Sequence, residues 1–358
     1  LRGRFTAGTE KKDAVRSDSI FLIFSAQDKS RTCTGLFPLP PQSSVSTNST
    51  TWAQRRGKDT LFLILCRTLK KKNFISKKIV YLPSNSIIMA QKKVLFITPE
   101  IYPYFPEGYI ANICRFLPQG IQERENEIRT FMPKFGCVND HKHMLHEVIR
   151  LSGQNIIIED TDHPLIIKVA SIQKARMQIY FIDNDDFFTK RKHMLYDHGG
   201  HFCEDNDDRT VFFNRGVIET VRKLNWSPDI VHCSGWMTAI MPIFIKRGFK
   251  DNPLFNESKV VYSIFDDDFK GALKSGFDKK VKLPGITVRD LKYYKEPTYV
   301  NLLKAAIDYS DGIIIGSEKI NSEIADYLKS SGKPTLEYQG PENYAAAYNA
   351  FYDTILSN

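Results

Sequence analysis

Three short stretches hold the residue types and spacings that could do chemistry. The first is Pro106-Glu107-Gly108-Tyr109-Ile110-Ala111-Asn112, between an apolar run and an amphipathic one. A glycine turn that ends a strand and opens a helix can cradle phosphate, because backbone N–H groups and the positive end of the helix dipole converge there. Such a cradle needs small residues and positive potential. This turn offers Gly108 and the helix start, but Glu107 adds a carboxylate, Tyr109 adds bulk, and no lysine lies between Phe96 and Ile121. The second stretch is Ser234-Gly235-Trp236-Met237-Thr238, directly after the apolar run "DIVHC". The third is Phe265-Asp266-Asp267-Asp268, directly after "KVVYSI". Carboxylates at the end of a strand can hold a divalent cation. Three consecutive acids cannot all point into one site, however, so this run reads as a solvated loop. His141, His143 and His146 form one histidine cluster, and His198, His201 and Cys203 another. A zinc site wants about four ligands, and both clusters read as exposed polar loops, so no metal and no cofactor is assigned. Tyr102, Tyr104, Phe105, Tyr109 and Trp236 lie in or beside the first two stretches. Aromatic faces of this kind hold sugar rings with few charges.

The elements that must position these residues follow from apolar periodicity. "KVLFIT" (93–98), "IRTFMP" (128–133), "DIVHC" (229–233), "KVVYSI" (259–264) and "GIIIGS" (312–317) are short apolar runs that read as buried strands. "PLIIKVA" (164–170) and "MQIYFID" (177–183) read as a hairpin. Helical spacing covers 109–124, 208–224, the stretch from the second loop to about Arg247, 298–309, 318–329 and 341–356. In 208–224, Val211, Phe212, Val217, Ile218, Val221 and Leu224 fall mostly on one face, and Asp208 is the expected cap. The last helix is rich in tyrosine, with Pro341 expected in its first turn. Strands alternating with helices predict an α/β fold with a Rossmann-like, mostly parallel sheet and helices on both faces. Ligands then sit beyond the carboxyl ends of the strands. The loops after Ile97, Ile182, Cys233, Ile264 and Ile315 are therefore the ones expected to matter.

In their order, these stretches resemble the N-terminal half of the bacterial glycogen and starch synthases, from about Lys93 to Ile324. The resemblance is carried by "KVLFITPEIYPYFPEGYIANICRFLPQGI", by "DNDDRTVFFNRGVIETVRKLNWSPDIVHCSGWMTAIMP", by "KVVYSIFDDDFKG" and by "NLLKAAIDYSDGIIIGSEKINSEI". It implies one half of a two-domain B-type glycosyltransferase fold, ADP-glucose as donor and a glucan as acceptor. It also implies which residues would stand in the site, and these depart from the family pattern. The family's donor loop Lys-Thr-Gly-Gly-Leu-Ala-Asp corresponds to Pro106 through Asn112, so the phosphate-binding lysine is Pro106 and the second glycine is Tyr109. The family's His-Asp-Trp-His-Thr corresponds to Ser234, Gly235, Trp236, Met237 and Thr238, so a sugar-contacting histidine and an acid are replaced. The family's His-Asn pair corresponds to Phe265 and Asp266. Nothing between Lys329 and Asn358 resembles the second domain, which in the family supplies the groups that stabilise the departing diphosphate. The last helix resembles the family's terminal helix, expected to pack back on the first domain.

Charge divides the chain unevenly. Residues 1–88 carry 16 basic and 5 acidic side chains, whereas 89–358 carry 34 and 36, which together give the net +9. The seven methionines all lie at or after Met89, and the first 88 residues show no sustained period. Met89 is therefore read as the true start. Residues 1–88 are read as an upstream extension or a disordered tail, 89–340 as the synthase-like domain and 341–358 as the packed-back helix. "RTLKKKNFISKK" (67–78) could dock on nucleic acid or an anionic membrane, but basic runs are usually solvated and this one lacks regularly spaced aromatics, so neither role is assigned. The apolar runs "SIFLIF" and "LFLILC" are far shorter than the roughly 20 residues of a membrane span. The six cysteines are scattered with no C-x-x-C pair, which fits reduced thiols and a cytoplasmic setting. The expectation is thus a glycogen/starch synthase-like protein impaired or inactive as a transferase on its own. Two alternatives are a non-catalytic module binding glucan or a partner, and a transferase completed by a separate chain. A homodimer is expected if the cleft face is left uncovered.

Overall fold

The computed structural model describes residues 91–357 except 192–194, 198 and 343. The expectations for residues 1–88 and for Met89 fall outside the described residues. The strands are β1 (Lys93–Ile97), β2 (Glu127–Pro133), β3 (His146–Glu147), β4 (Gln154–Ile158), β5 (Thr161–Ile172), β6 (Met177–Asp183), β7 (Ile230–Ser234), β8 (Lys259–Ile264), β9 (Gly312–Ile315) and β10 (Thr335–Leu336). The longer helices are α1 (Tyr109–Gln122), α2 (Asn206–Leu224), α3 (Tyr299–Tyr309), α4 (Ser322–Ser331) and α5 (Tyr344–Ser357).

One sheet runs in the order β10-β9-β8-β7-β1-β2-β6-β5-β3. From β10 to β6 every pair is parallel, while β5 pairs antiparallel with β6 and with β3. β1 is apolar from Val94 to Ile97 because both of its faces are covered, the usual pattern of a central parallel strand. After β1 the chain builds outward through β2 to β6, then returns to place β7 on the other side of β1. The strand order therefore reverses between β1 and β7, and a ligand crevice belongs at that switch point. Ile97 lies opposite Phe131 on one side and Cys233 on the other, so the loops that leave β1 and β7 start level with each other.

Local chemistry explains where the helices depart from expectation. α2 starts at Asn206, with Asp205 at the cap position and no side-chain cap bond. Asp208 lies inside the first turn and is paired with Lys280 at 2.7 Å, so it does not cap the helix. The apolar face of α2 is largely as read, with Val211, Phe212, Val217, Ile218 and Val221 buried and Leu224 half-buried against the same core. The stretch after β7 is not one continuous helix. It breaks into a 3₁₀ turn (Trp236–Thr238), one α turn (Met241–Ile243) and a wide turn (Phe244–Gly248). Gly235, at φ +73°, swings the chain before this stretch, and Pro242 has no N–H to continue a helical ladder. α4 begins later than expected, where the Asn321 side chain accepts from the Glu323 N–H. Pro341 precedes α5 and does not sit in its first turn.

α5 covers the sheet face that carries Val94, Phe96, Ile230, Val261 and Ile314. It buries Tyr348, Phe351, Tyr352 and Ile355 there. The Tyr352 hydroxyl is 2.6 Å from His232 Nδ1, and His232 Nε2 is 2.9 Å from Ser263 Oγ. Burial pushes the His232 imidazolium down to about 3, so the ring is neutral and uses one nitrogen as donor and the other as acceptor. Two glycines make room for the helix. A Cβ on Gly120 would lie 2.6 Å from Ala345 Cβ, and one on Gly312 would lie 2.7 Å from Ile355 Cδ1. Among the described residues no helix is long and apolar enough to cross a membrane.

Candidate functional site

Four loops meet beyond the carboxyl ends of β1, β7, β8 and β9. Those after β1, β8 and β9 line an open cavity of about 660 Å³, through Glu100, Tyr109 and Ile110, through Asp266, and through Ser317, Glu318 and Lys319, with Tyr338 after β10 completing the lining. The loop after Ile182 does not join them. β6 lies beyond β2, two places from β1, and its loop borders a separate cavity of about 450 Å³ lined by Arg191, Asp205 and Lys274 among others.

The first loop is held from below. Tyr102 N–H donates to Ala111 O at 3.1 Å, and Phe105 N–H donates to Ile101 O at 2.9 Å. Pro106 and Glu107 are exposed. Gly108 opens α1 in extended backbone, φ −160° and ψ 166°, and a Cβ there would meet nothing within 4 Å. Neither conformation nor crowding therefore demands a glycine at this position. Tyr109 stands in the first turn of α1, and its hydroxyl donates to Gly316 O at 2.7 Å, tying that turn to the end of β9. Burial and neighbouring tyrosines raise its phenol well above the usual range, so it stays protonated and a donor. Asn112 faces Glu107 at a long 3.4 Å.

The second and third stretches lie beneath and beside the cavity. Ser234, Trp236, Met237 and Thr238 are buried, and Phe265 is buried with its ring against Gly316. The three consecutive aspartates point three ways. Asp266 lines the cavity, Asp268 accepts from Asn321 Nδ2 at 2.9 Å, and Asp267 turns inward. Asp267 Oδ2 accepts the Trp236 N–H at 2.8 Å, and its Oδ1 accepts the Tyr299 hydroxyl at 3.0 Å. A Cβ on Gly235 would lie 2.6 Å from Asp267 Oδ2. Hence the space that an acid at 235 would enter is filled by a carboxylate that arrives from the loop after β8.

Gly235 is consequently fixed twice, by its positive φ and by Asp267. Gly235→Ala is expected to cost about 2–4 kcal/mol of stability. Adding Asp267→Ala should recover the crowding part of that cost. Urea denaturation of both single variants and the double would show the coupling. A single-variant cost below about 0.5 kcal/mol would mean that the turn is not held this way.

The electrostatics of the cavity are acidic. Burial, and then the nearby Asp267 carboxylate, push Glu100 up to about 7. Burial also pushes Asp267 up to about 6, against the bonds from Trp236 and Tyr299 that favour its charged form. Cys114, buried behind this loop, is pushed up to about 12 and remains a thiol, not a nucleophilic thiolate. Among the described residues no group of three or more His, Cys, Asp or Glu side chains is placed to hold a metal ion. His143 packs on the Tyr104 ring and His201 on Asp197, while His198 lies outside the described residues.

Of the residues expected in the site, Tyr109 and Asp266 line the cavity. Pro106, Glu107, Gly108 and Asn112, and the buried Ser234, Gly235, Trp236, Met237 and Phe265, are not among its lining residues. Sequence reasoning missed Glu100, Ile110, Ser317, Glu318, Lys319 and Tyr338. Glu100 stands three residues beyond Ile97, and Ser317 two beyond Ile315, so distance from a strand end was the available signal for those two. Tyr338 gives no such signal, because the two-residue β10 is too short to read.

Residues 93–336 match the family model described as starch synthase catalytic domain. The chain is 30% identical over 244 residues to the glycogen synthase of Chlorobium phaeobacteroides, covering 68% of this chain and 48% of that protein. It is 32% identical over 233 residues to the glycogen synthase of Chlorobium limicola, covering 65% and 47%. The chain thus spans about half the length of the curated relatives it matches. Among solved structures it is similar to the catalytic domain of Starch Synthase IV from Arabidopsis thaliana bound to ADP and acarbose. The TM-score is 0.56 at 16% identity, covering 70% of this chain and 51% of that one, a likeness of fold alone.

Proposed function

The chain belongs to the starch synthase catalytic-domain family, and from that premise we propose that its cavity holds a neutral glucan and does not by itself transfer glucose from ADP-glucose. The observation that carries this reading is the acidic lining. Asp266 and Glu318 face the cavity as carboxylates, Glu100 joins them with a carboxyl that holds its proton up to about 7, and among the described lining residues Lys319 is the one cation. A nucleotide diphosphate brings several negative charges, and a site for it needs converging donors and positive potential. Carboxylates instead accept sugar hydroxyls in charge-assisted hydrogen bonds, and the rings of Tyr109 and Tyr338 offer apolar faces. The volume of about 660 Å³ falls within the range of small-molecule sites, roughly 300–1,000 Å³.

Two measurements on the purified full chain test this reading. Calorimetric titration with maltoheptaose should give a binding heat. Incubation with labelled ADP-glucose and the same oligosaccharide should give no label in glucan above a boiled control. Transfer by the chain alone would overturn the non-catalytic reading. Absence of any glucan binding would shift the proposal to a protein partner, and transfer that starts when a second polypeptide is added would make the chain one half of a split enzyme.

A further inference from the structure

We propose that a second cavity, on the outer side of Tyr109, is a saccharide subsite, so that one neutral oligosaccharide lies across Tyr109 and occupies both cavities. The proposal rests on the glucan reading above and extends it to a place on α1. The second cavity measures about 250 Å³, and its lining includes Tyr109, Asn112, Ile113, Phe116, Pro341 and Tyr344. Tyr109 lines this cavity and the acidic one, so its side chain borders both. The bond from its hydroxyl to Gly316 O holds that side chain in place.

The helix face itself is unusual. Tyr109, Asn112, Ile113 and Phe116 follow the i, i+3, i+4, i+7 spacing that puts side chains on one face. α1 already buries Ala111, Cys114, Leu117 and Ile121 on the inward face. This second stripe faces outward, with Tyr109 45% and Phe116 50% exposed. Phe116 is also held from behind. The Arg115 guanidinium lies 5.1 Å from the ring centroid, and Arg115 Nη1 donates to Gln119 Oε1 at 2.8 Å.

The lining chemistry selects the occupant. No charged side chain lines the second cavity among the described residues. Aromatic faces suit the apolar side of a sugar ring, and Asn112 can exchange its long 3.4 Å contact with Glu107 for a sugar hydroxyl. A cavity of about 250 Å³ is below the roughly 300–1,000 Å³ of a complete small-molecule site. It has the size for a single ring, and it gains affinity when that ring is tethered to one already bound in the acidic cavity.

The test is the length dependence of binding. The full chain is titrated calorimetrically with maltose, maltotriose and maltoheptaose. The wild-type affinity should rise by at least about tenfold from maltose to maltoheptaose. Phe116→Ala should remove most of that rise, whereas Phe116→Trp should keep it. Phe116 is half exposed, so neither change opens the core. A Phe116→Ala chain with the full wild-type gain would overturn the second subsite while leaving glucan binding in the first cavity intact. A wild-type chain that binds none of the three sugars would overturn both readings at once.

Discussion

Truncating the chain after Gly340 is expected to lower its melting temperature by more than about 10 °C, or to leave no soluble protein. The deletion removes Tyr348, Phe351, Tyr352 and Ile355, all buried. Each such side chain contributes on the order of 1.5–3 kcal/mol when buried, an upper bound once residual burial in the unfolded chain is counted. The sum is comparable with the whole net stability of a domain, about 5–15 kcal/mol. The deletion also uncovers Val94, Phe96, Ile230, Val261 and Ile314 in the middle of the sheet, where exposed apolar surface drives association. It takes away the hydroxyl that meets His232 Nδ1, and a buried group without its partner adds a desolvation cost of about 1–3 kcal/mol. Finally it breaks the 2.5 Å pair between Lys92 and Asp353. Differential scanning calorimetry and gel filtration of the truncated chain decide the matter. An unchanged melting temperature with an unchanged elution volume would show that α5 is an accessory and not part of the core.

This role for α5 shows which features a sequence can carry and which it cannot. The helix itself was legible in its tyrosine-rich pattern. Its docking depends on Gly120 and Gly312, two glycines on separate elements that gain meaning only when a third element lies across both. The parallel strands from β9 to β6 were legible because each is an apolar run bounded by polar residues, whereas the two-residue β10 was not. The sheet order was not, since nothing local to "MQIYFID" says that β6 lies beyond β2. That gap explains why the loop after Ile182 was grouped with the site loops. The broken helix after Gly235 was misread because its apolar residues keep roughly helical spacing while Pro242 and Gly235 interrupt the ladder. At the site, the replacement of an acid by Gly235 was visible, but Asp267 standing beside it was not. That pairing joins the end of β8 to the turn after β7 across 31 residues. Glu100 went unread for a similar reason, because its raised affinity for a proton comes from burial and from Asp267.

The combined change Pro106→Lys, Glu107→Thr and Tyr109→Gly is expected to raise the affinity for ADP by at least about tenfold. The first two substitutions move the loop by two charges toward the positive. At an effective dielectric near 20, one unit charge about 5 Å from a phosphate oxygen contributes on the order of 3 kcal/mol before screening, and solvent exposure of the two positions reduces that several-fold. The third removes the ring that borders both cavities and releases Gly316 O from its bond. Gly108 is already extended, and a Cβ at that position would meet nothing within 4 Å, so the backbone there has room for an anion to approach. The start of α1 then presents its N–H groups and dipole to the phosphates without a phenol in between. Calorimetric titration with ADP at two salt concentrations measures both the gain and its electrostatic share, which should shrink as salt rises. Glu107→Thr alone should give a smaller gain, because it changes one charge and leaves Tyr109 in place. If the triple variant binds ADP no better than the wild type, the barrier to nucleotide lies in the acidic lining of Asp266 and Glu318 with Glu100, and the loop is not its cause.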